Sequence, residues 1–484
     1  MGGITIVGLG PGDPRHLTRE AWEVLKGAGE VWLRTERHPI VAELPSHLLL
    51  HAFDTFYDEA EDFAQVYDAI VTEVLRLGRR PEGVIYAVPG HPLVGEATVM
   101  RLLAQAQSLA QAGDAGLDVH IVEGMSFIEP TLTALRIDAL AGLQVYDAVE
   151  VAALHHPPLN PDLPALLPQL YSRALAADVK LTLMNQYPDD HEVALVHAAG
   201  TPGEQVVYLP LYELDRHDVE HMTTLYVPPL SGVVSFEGLQ DTMAHLRAPD
   251  GCPWDREQTH ESLRGTLLEE AYEVAAAVDV GDLRALQEEL GDLLLQVLIH
   301  TQIATEEGEF KMPAVISGID AKLKHRHPHV WGGQEVSGTG EVLQRWEELK
   351  REEKGEDRST LDGVPAALPA LQQADTYSRR ASRVGFDWSD PNGVADKVRE
   401  EIAEIEAATT PEAREAEVGD LLFAAVNWAR WLDVDPEVAL RQANARFAHR
   451  FRAMERMARE RGLDMVALDI DALEALWQEA KLAE

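Results

Sequence analysis

The chain contains 484 residues, so it should form about three domains, because a single hydrophobic core seldom grows beyond about 250–300 residues. A hydrophobic content of 46% excludes wholesale disorder. The formal net charge of −41 argues against nucleic acid and anionic membranes as partners, since both attract exposed Lys and Arg. A small anionic substrate remains compatible with this charge, because a bound metal ion inverts the local field.

The N-terminal segment MGGITIVGLGPG has neither a basic stretch nor a long apolar stretch, so no secretion signal is expected. The sequence contains no run of about 18 uncharged apolar residues, so no membrane span is expected. The single cysteine, Cys252, has no partner for an intramolecular disulfide, which is typical of a reducing compartment. We therefore expect a cytoplasmic protein.

Residues 1–230 alternate short β-rich runs with helical stretches, which predicts an α/β domain. The expected strands are Ile4–Leu9, Val84–Val88, Val119–Val122 and Val206–Leu209. The expected helices include Arg19–Ala28 and Phe63–Leu77. A glycine-rich turn, Gly8 to Pro14, follows the first run, but Asp13 occupies its sixth position, so the dinucleotide fingerprint G-x-G-x-x-G fails. The turn either lets a ligand approach the backbone or simply connects strand to helix.

With YAVPGHPLVGEATV (Tyr86 to Val99), VEGMSFIEPTLTAL and KLTLMNQYPDD, this domain resembles the tetrapyrrole methylase family over residues 1–230. The family more often has Gly-Asp-Pro where this chain has Gly90-His91-Pro92, and a Ser/Thr pair where it has Ser126-Phe127. The resemblance implies a pocket for S-adenosylmethionine, with the cofactor-binding residues at Gly8, Gly10, Gly12, Pro89, Gly90 and Ser126.

After Phe236, β-branched runs almost vanish and long segments of helical period follow, which predicts an all-α region. This region is repeated, and the predicted units span residues 236–354 and 361–484. The charged run Arg351–Thr360 between them is either a linker or a solvated helix end.

Each unit contains the same acidic pattern, LLEEAYEV followed by EELGDLLLQV in the first and VREEIAEIE followed by EAEVGDLLFAAV in the second. Residues three or four apart share a helix face, so each unit should carry two acidic faces. Solvated acidic faces are one interpretation. The apolar flanks Leu290–Ile299 and Leu421–Val426 favour magnesium binding, because inward-facing carboxylates are costly without a cation. The predicted metal ligands are Glu270, Glu273, Glu289 and Asp292, then Glu401, Glu404, Glu417 and Asp420.

Basic and aromatic residues also recur in one order, and cations near a polyphosphate would help to hold it. The residues that this recurrence predicts to contact the substrate are Lys322, Arg326 and Trp346 in the first unit and Arg446, Arg450 and Trp477 in the second. For each basic pair the alternative is a solvated face, and for each tryptophan it is core packing.

The segments GCPWDREQTHESLRGTLLEEAYEV, ELGDLLLQV and KHRHPHVWG, with VGFDW through WQEAK in the second unit, resemble the MazG family of nucleoside triphosphate pyrophosphohydrolases. The resemblance covers about Phe236 to the C-terminus. It implies an all-α magnesium enzyme, usually a homodimer through its helical half, that cleaves NTPs or dNTPs to the monophosphate and pyrophosphate. The family's metal ligands fall on the eight carboxylates named above, and its phosphate and base contacts fall on Asn444, Arg446, Arg450, Trp477 and Lys481. Lys350 stands in the first unit where the second has Lys481, and it is also expected to contact the substrate. Glu270 and Glu401 are expected to orient or deprotonate the attacking water. The first unit has Asp320 where the second has Asn444, and Arg446 stands where a lysine is expected, so which copy turns over is left open.

The leading hypothesis is a multidomain protein, an α/β methylase-like domain followed by two all-α MazG-like repeats, with house-cleaning or regulatory pyrophosphohydrolysis. One alternative is an S-adenosylmethionine-dependent methyltransferase with a degenerate helical tail. Another is a nucleotide-sensing protein without turnover.

Overall fold

The structure, a computed structural model, describes residues 2–59, 63–111, 117–352 and 359–482. The chain divides into two compact units, Met1–Met312 and Pro313–Glu484. The predicted order is confirmed, because an α/β region precedes a helical region and no strand follows Val227 in the described residues. The division into three domains stays a prediction, and residues 353–358 of the charged run lie outside the described residues.

The N-terminal region alternates strands and helices. Its strands are β1 Gly3–Gly8, β2 Glu30–Leu33, β3 Leu49–Ala52, β4 Val84–Val88, β5 Asp118–Val122, β6 Gln144–Val145, β7 Ala165–Leu167, β8 Glu192–His197, β9 Gln205–Pro210 and β10 Thr223–Val227. Its helices are α1 Arg19–Gly27, α2 Asp54–Glu59, α3 Phe63–Gly78, α4 Ala97–Gln111, α5 Ile128–Leu135, α6 Ala148–Ala152 and α7 Arg173–Leu183.

The first sheet is parallel, with the strand order β3-β2-β4-β1-β5. In its centre Ile4 and Ile6 on β1 pair with Val84 and Tyr86 on β4, and all four side chains are buried. Such continuous apolar runs are typical of parallel strands whose two faces are covered by helices. The loops that follow β1, β2, β4 and β5 therefore gather at one edge of the sheet, where ligands of open α/β sheets usually bind.

The second sheet has the order β6-β7-β10-β8-β9 and is antiparallel except for the β6–β7 pair. Leu167, Leu195 and Leu225 lie side by side on neighbouring strands and are fully buried. Together with helix α7 they form a core of their own.

The remainder of the described chain is helical. Its helices are α8 Phe236–Arg247, α9 Pro253–Arg256, α10 Arg264–Val280, α11 Leu283–Glu307, α12 Met312–Arg326, α13 Pro328–Trp331, α14 Thr339–Glu352, α15 Ala370–Ser382, α16 Pro391–Ala407, α17 Pro411–Trp431, α18 Pro436–Glu460 and α19 Ile470–Leu482. Among the described residues, no helix is long and apolar enough to cross a membrane.

Candidate active site

The first acidic pattern lies on a helical hairpin, α10 and α11, whose turn is set by two residues. Gly281 ends α10 in the left-handed conformation, with φ of 69°, which glycine adopts without strain. Asp282 then caps α11 by accepting hydrogen bonds from the backbone N–H groups of Arg284 and Ala285 at 3.0 and 3.1 Å. Glu273 and Glu289 each lie eight residues from Gly281, on opposite sides, so the hairpin brings them together.

The carboxylates of Glu270, Glu273 and Glu289 form the first cluster, since one oxygen of each lies within 4.8 Å of the others. Partial burial, followed by the charges of Asp292 and Glu273, raises the pKa of Glu270. Partial burial and neighbouring carboxylates, with Glu273 first, also raise the pKa of Glu289. The first hairpin therefore holds negative charges close enough to disturb one another, and a divalent cation would relieve this repulsion.

The second pattern lies on the hairpin of α16 and α17. Thr410 caps α17 by accepting a hydrogen bond from the Ala413 N–H at 3.2 Å, and Pro411 takes the first helical position, where its missing N–H costs nothing. One oxygen each of Glu401, Glu417 and Asp420 lies within 4.8 Å of the others, and these residues form the second cluster. Partial burial and then the charge of Glu401 raise the pKa of Glu404, which lies beside this cluster.

Glu401 is the most unusual member of either cluster, because it is only 3% exposed. Its Oε1 lies 2.6 Å from the Nζ of Lys397. Its Oε2 is buried and has no hydrogen-bond partner among the described residues. A buried carboxylate oxygen without a partner is costly, and a bound ligand would remove that cost.

Lys397 was not among the residues singled out from the sequence. It lies one helical turn before Glu401 and also contacts Glu400, whose Oε1 is 2.9 Å from Nζ. Hydrogen bonds to Glu401 and Glu400 raise the pKa of Lys397 above its usual value. The i,i+4 spacing of Lys397 and Glu401 could have indicated this contact from the sequence. Such lysine–glutamate pairs are common on exposed helices, however, and rarely indicate a site. Thr266 stands at the equivalent position of the first hairpin.

Both clusters fit a hard divalent cation by donor type and by spacing. All their donors are carboxylate oxygens, which suit magnesium rather than the metals that prefer imidazole or thiolate. In a magnesium octahedron neighbouring ligands are about 3 Å apart and opposite ligands about 4.2 Å, so oxygens within 4.8 Å of one another would close on one ion through side-chain movements of up to about 2 Å.

The exposure of several carboxylates differs from the inward orientation expected from the apolar flanks. Glu273, Glu404 and Asp420 are exposed, and so are the neighbouring apolar side chains Leu290 and Leu422. Of the predicted ligands in the described part of the chain, Glu401 alone is buried.

The residues expected to contact the substrate are distributed over α12, α14, α18 and α19. Those with exposed side chains are Lys322, Asn444, Arg446 and Lys481, while Arg326, Trp346, Arg450 and Trp477 are half-buried. The side chain of Lys350 lies outside the described residues.

Two of these residues contact one another, since the Arg326 guanidinium lies 5.5 Å from the centre of the Trp346 ring. Trp477 packs against Phe447, with ring centres 5.2 Å apart, beside the apolar cluster between α18 and α19. Both alternatives for Trp477 therefore remain compatible with its position, because one side of the ring packs in the core and part of it reaches solvent.

The glycines predicted to bind a cofactor meet at the carboxyl edge of the parallel sheet. The Gly10 N–H donates to the Gly90 oxygen at 3.2 Å, and the Gly90 N–H donates back to the Gly10 oxygen at 2.9 Å. A β-carbon at Gly8 would lie 2.6 Å from the Gly124 nitrogen and 2.7 Å from the Gly90 oxygen. The loops after β1, β4 and β5 thus approach so closely that only glycine fits at position 8.

The other cofactor positions adjoin this edge. Gly12 has φ of 131°, and Pro89 immediately follows β4. Ser126, which is buried, donates its hydroxyl hydrogen to Glu129 Oε2 at 2.6 Å. His38 is packed beside the turn, and burial lowers its pKa to about 4, so this imidazole is neutral at physiological pH.

A buried ion pair lies at the end of β2. The Arg34 Nε is 3.1 Å from the Oε1 of Glu96, and the two side chains are 18% and 3% exposed. Tyr57 and Tyr67 flank the guanidinium, with ring centres 5.9 and 5.4 Å from it. Burial raises the pKa of Glu96, although Arg34 acts in the opposite direction.

Comparison with known proteins gives matches for both regions. The family model of tetrapyrrole (corrin/porphyrin) methylases matches residues 3–215, and that of the MazG nucleotide pyrophosphohydrolase domain matches residues 258–331. The uncharacterized protein YabN of Bacillus subtilis is 39% identical over 100% of this chain and 99% of its own length.

The nucleoside triphosphate pyrophosphohydrolase/pyrophosphatase MazG of Thermotoga maritima is 45% identical over 51% of this chain and 96% of its own length. The crystal structure of uroporphyrin-III-C-methyltransferase from Thermus thermophilus covers 47% of this chain and 92% of its own, with 22% identity and a TM-score of 0.35.

The α/β region and the acidic helical hairpins define a fusion of a tetrapyrrole methylase-like domain with a MazG-type helical region. The chain belongs to the MazG family of nucleotide pyrophosphohydrolases, with the methylase-like domain at its N-terminal end.

Proposed function

We propose that this protein is a magnesium-dependent nucleoside triphosphate pyrophosphohydrolase, which converts an NTP or dNTP and water into the monophosphate and pyrophosphate. The observation that carries the proposal is the second cluster, where the Oε2 of the buried Glu401 has no hydrogen-bond partner in the described part of the chain and lies beside Glu417 and Asp420. The recurrence of a similar cluster on the first hairpin supports it, as does the name of the Thermotoga maritima relative.

The proposed reaction is an in-line displacement at the α-phosphorus. The water oxygen forms a bond to the α-phosphorus, the bond to the bridging α–β oxygen breaks, and pyrophosphate leaves with the electron pair. Bound magnesium would supply charge neutralisation on the phosphates. Glu401 in the second cluster, or Glu270 in the first, would orient the attacking water and accept its proton.

The basic residues would complete the site by neutralising the substrate's remaining charge. Arg446 and Arg450 lie one turn apart on α18, and Lys481 lies on α19, so all three belong to the same compact unit as the second cluster. Asn444 and Trp477 are proposed as contacts to the rest of the nucleotide. In the first copy the corresponding proposals are Lys322, Arg326, Trp346 and Lys350.

The direct test is to identify the first product. Purified protein incubated with a panel of NTPs and dNTPs and with Mg²⁺ should release pyrophosphate and the monophosphate, and chelation of the metal should reduce the rate to background until Mg²⁺ is restored. Orthophosphate as the first product would contradict the proposal. Tight Mg²⁺-dependent nucleotide binding without any product would instead support the sensing hypothesis.

We also propose that the helical region forms a homodimer. Large apolar side chains are exposed on both hairpins of the single chain, namely Leu268, Tyr272, Leu290, Leu294, Leu295 and Val297 on the first and Ile402, Val418, Leu422, Phe423 and Trp428 on the second. Large exposed apolar surface on a single chain often marks an interaction site. A partner helix pair on these faces would also enclose the carboxylates that are exposed in the single chain.

A second activity is proposed for residues 1–230, binding of S-adenosylmethionine at the edge where Gly8, Gly90 and Gly124 meet. Close backbone approach of this kind supports a ligand that contacts main-chain atoms. Calorimetric titration of the whole chain with S-adenosylmethionine should show binding in the wild type and loss in Gly8→Ala, because the new β-carbon displaces the loops.

Gly27→Ala is the matched control, since a β-carbon at Gly27 would meet no described atom within 4 Å beyond its chain neighbours and its own helix backbone. It should bind as the wild type does, and circular dichroism should show that both variants are folded. Absence of binding by the wild-type chain would remove both this proposal and the methyltransferase alternative.

A further inference from the structure

The two acidic clusters differ at one position that faces the metal-binding carboxylates. In the second cluster Lys397 lies four residues before Glu401, and its Nζ is 2.6 Å from the Oε1 of that glutamate. The equivalent residue of the first cluster, four before Glu270, is Thr266, which carries no charge. The second cluster is thus partly neutralised by the chain itself.

The burial of Glu401 explains why this contact matters. An ionised carboxylate that is 3% exposed needs a nearby positive charge, and Lys397 provides it through one oxygen only. An ion that enters the cluster must compete with Nζ for Glu401 and must also approach a like charge within a few ångströms, where screening by water is weak.

We propose that Lys397 makes the second cluster a site that takes up a divalent ion only together with a polyphosphate, whereas the first cluster binds the ion alone. The several negative charges of a nucleotide's phosphates compensate both the ion and Lys397, so the joint complex avoids the repulsion that the ion meets by itself. This inference rests on the proposed function, and it assigns Lys397 as a positioning residue that sets the order of binding.

The first test isolates the second cluster. In a full-length chain carrying Glu270→Gln and Glu289→Gln, titration with Mn²⁺ alone, followed by electron paramagnetic resonance, should show weak binding. Lys397→Met in the same background should strengthen ion-only binding by about tenfold or more, because the competing charge is removed. Lys397→Arg keeps the charge, so its ion-only binding should stay weak. A non-hydrolysable triphosphate analogue should strengthen Mn²⁺ binding in the Lys397 chain by a larger factor than in Lys397→Met.

The converse test isolates the first cluster in a chain carrying Glu401→Gln and Glu417→Gln. Mn²⁺ alone should bind, and Thr266→Lys should weaken that binding about tenfold. Arg399→Met is the control in the first background, because Arg399 is exposed and pairs with Asp396 rather than with the cluster. It should leave ion-only binding unchanged.

The inference is overturned if Lys397→Met leaves the affinity for Mn²⁺ alone unchanged. It is also overturned if the two isolated clusters, with Lys397 and Thr266 unchanged, bind Mn²⁺ alone with equal affinity. These outcomes are distinct from failure of the proposed function. The Mn²⁺ titrations require no turnover, whereas the proposed function fails when the wild-type chain releases no pyrophosphate from any nucleotide.

Discussion

Replacing Glu401 and Glu417 together by glutamine should lower kcat for pyrophosphate release by about 100-fold or more if the second cluster is the catalytic one. Glutamine has nearly the same volume, so packing is preserved, but it supplies no negative charge to a divalent ion. The rate is measured by coupled detection of pyrophosphate at saturating Mg²⁺ and nucleotide. Thermal unfolding of the variant confirms that the helices are intact.

The matched variant is Glu270→Gln with Glu289→Gln, which makes the same chemical change in the first cluster. The cluster whose double variant loses turnover is the one that performs the reaction. Glu479→Gln is the control in the helical region, because Glu479 forms an exposed ion pair with Arg461 and should contribute little to the rate. Full activity in both double variants would show that these carboxylates are not the metal ligands.

Arg34→Met should destabilise the N-terminal domain by about 3–5 kcal/mol, because it leaves the charge of Glu96 buried without its partner. The methionine fills a similar volume, so the loss arises mainly from electrostatics rather than from a cavity. Urea titration of the wild type and the variant, followed by circular dichroism, measures the difference in the free energy of unfolding.

The loss of stability caused by Arg34→Met should also depend on pH. Burial already raises the pKa of Glu96, and removing Arg34 raises it further. A carboxyl group whose folded-state pKa is raised stabilises the fold at low pH and loses that contribution as the pH rises through the folded-state pKa. The variant should therefore be less impaired at pH 5 than at pH 8. The double variant Arg34→Met with Glu96→Gln should recover much of the stability, and a loss below about 1 kcal/mol for Arg34→Met alone would contradict the argument.

The succession of an α/β region and a helical region could be predicted from the sequence, because it depends on the local periodicity of apolar residues. The apolar runs at Ile4–Leu9 and Val84–Val88 are buried parallel strands, and such strands give continuous rather than alternating patterns. The change to helical period after Phe236 marked the end of the α/β region. The second sheet was predicted only through Val206–Leu209, since the pairing of β7 with β10 joins strands far apart in the chain.

Three of the four carboxylates predicted in each copy lie together, and they could be anticipated because residues three or four apart share a helix face. The roles of Lys397 and Arg34 could not, since each depends on burial and on a partner's orientation. An i,i+4 lysine–glutamate pair is unremarkable until the glutamate is seen to be buried. Arg34 and Glu96 follow different strands, and only the sheet order brings them together.

The symmetry of the first hairpin about Gly281 limits how its length can vary. One residue added within α11 between the turn and Glu289 would rotate every later side chain by about 100° and advance it by about 1.5 Å, so Glu289 and Asp292 would leave their partners on α10. The same residue added at the turn itself would be absorbed by the loop. Insertions and deletions in related chains should therefore be confined to the junction between the two helices, while the arms keep a constant number of residues.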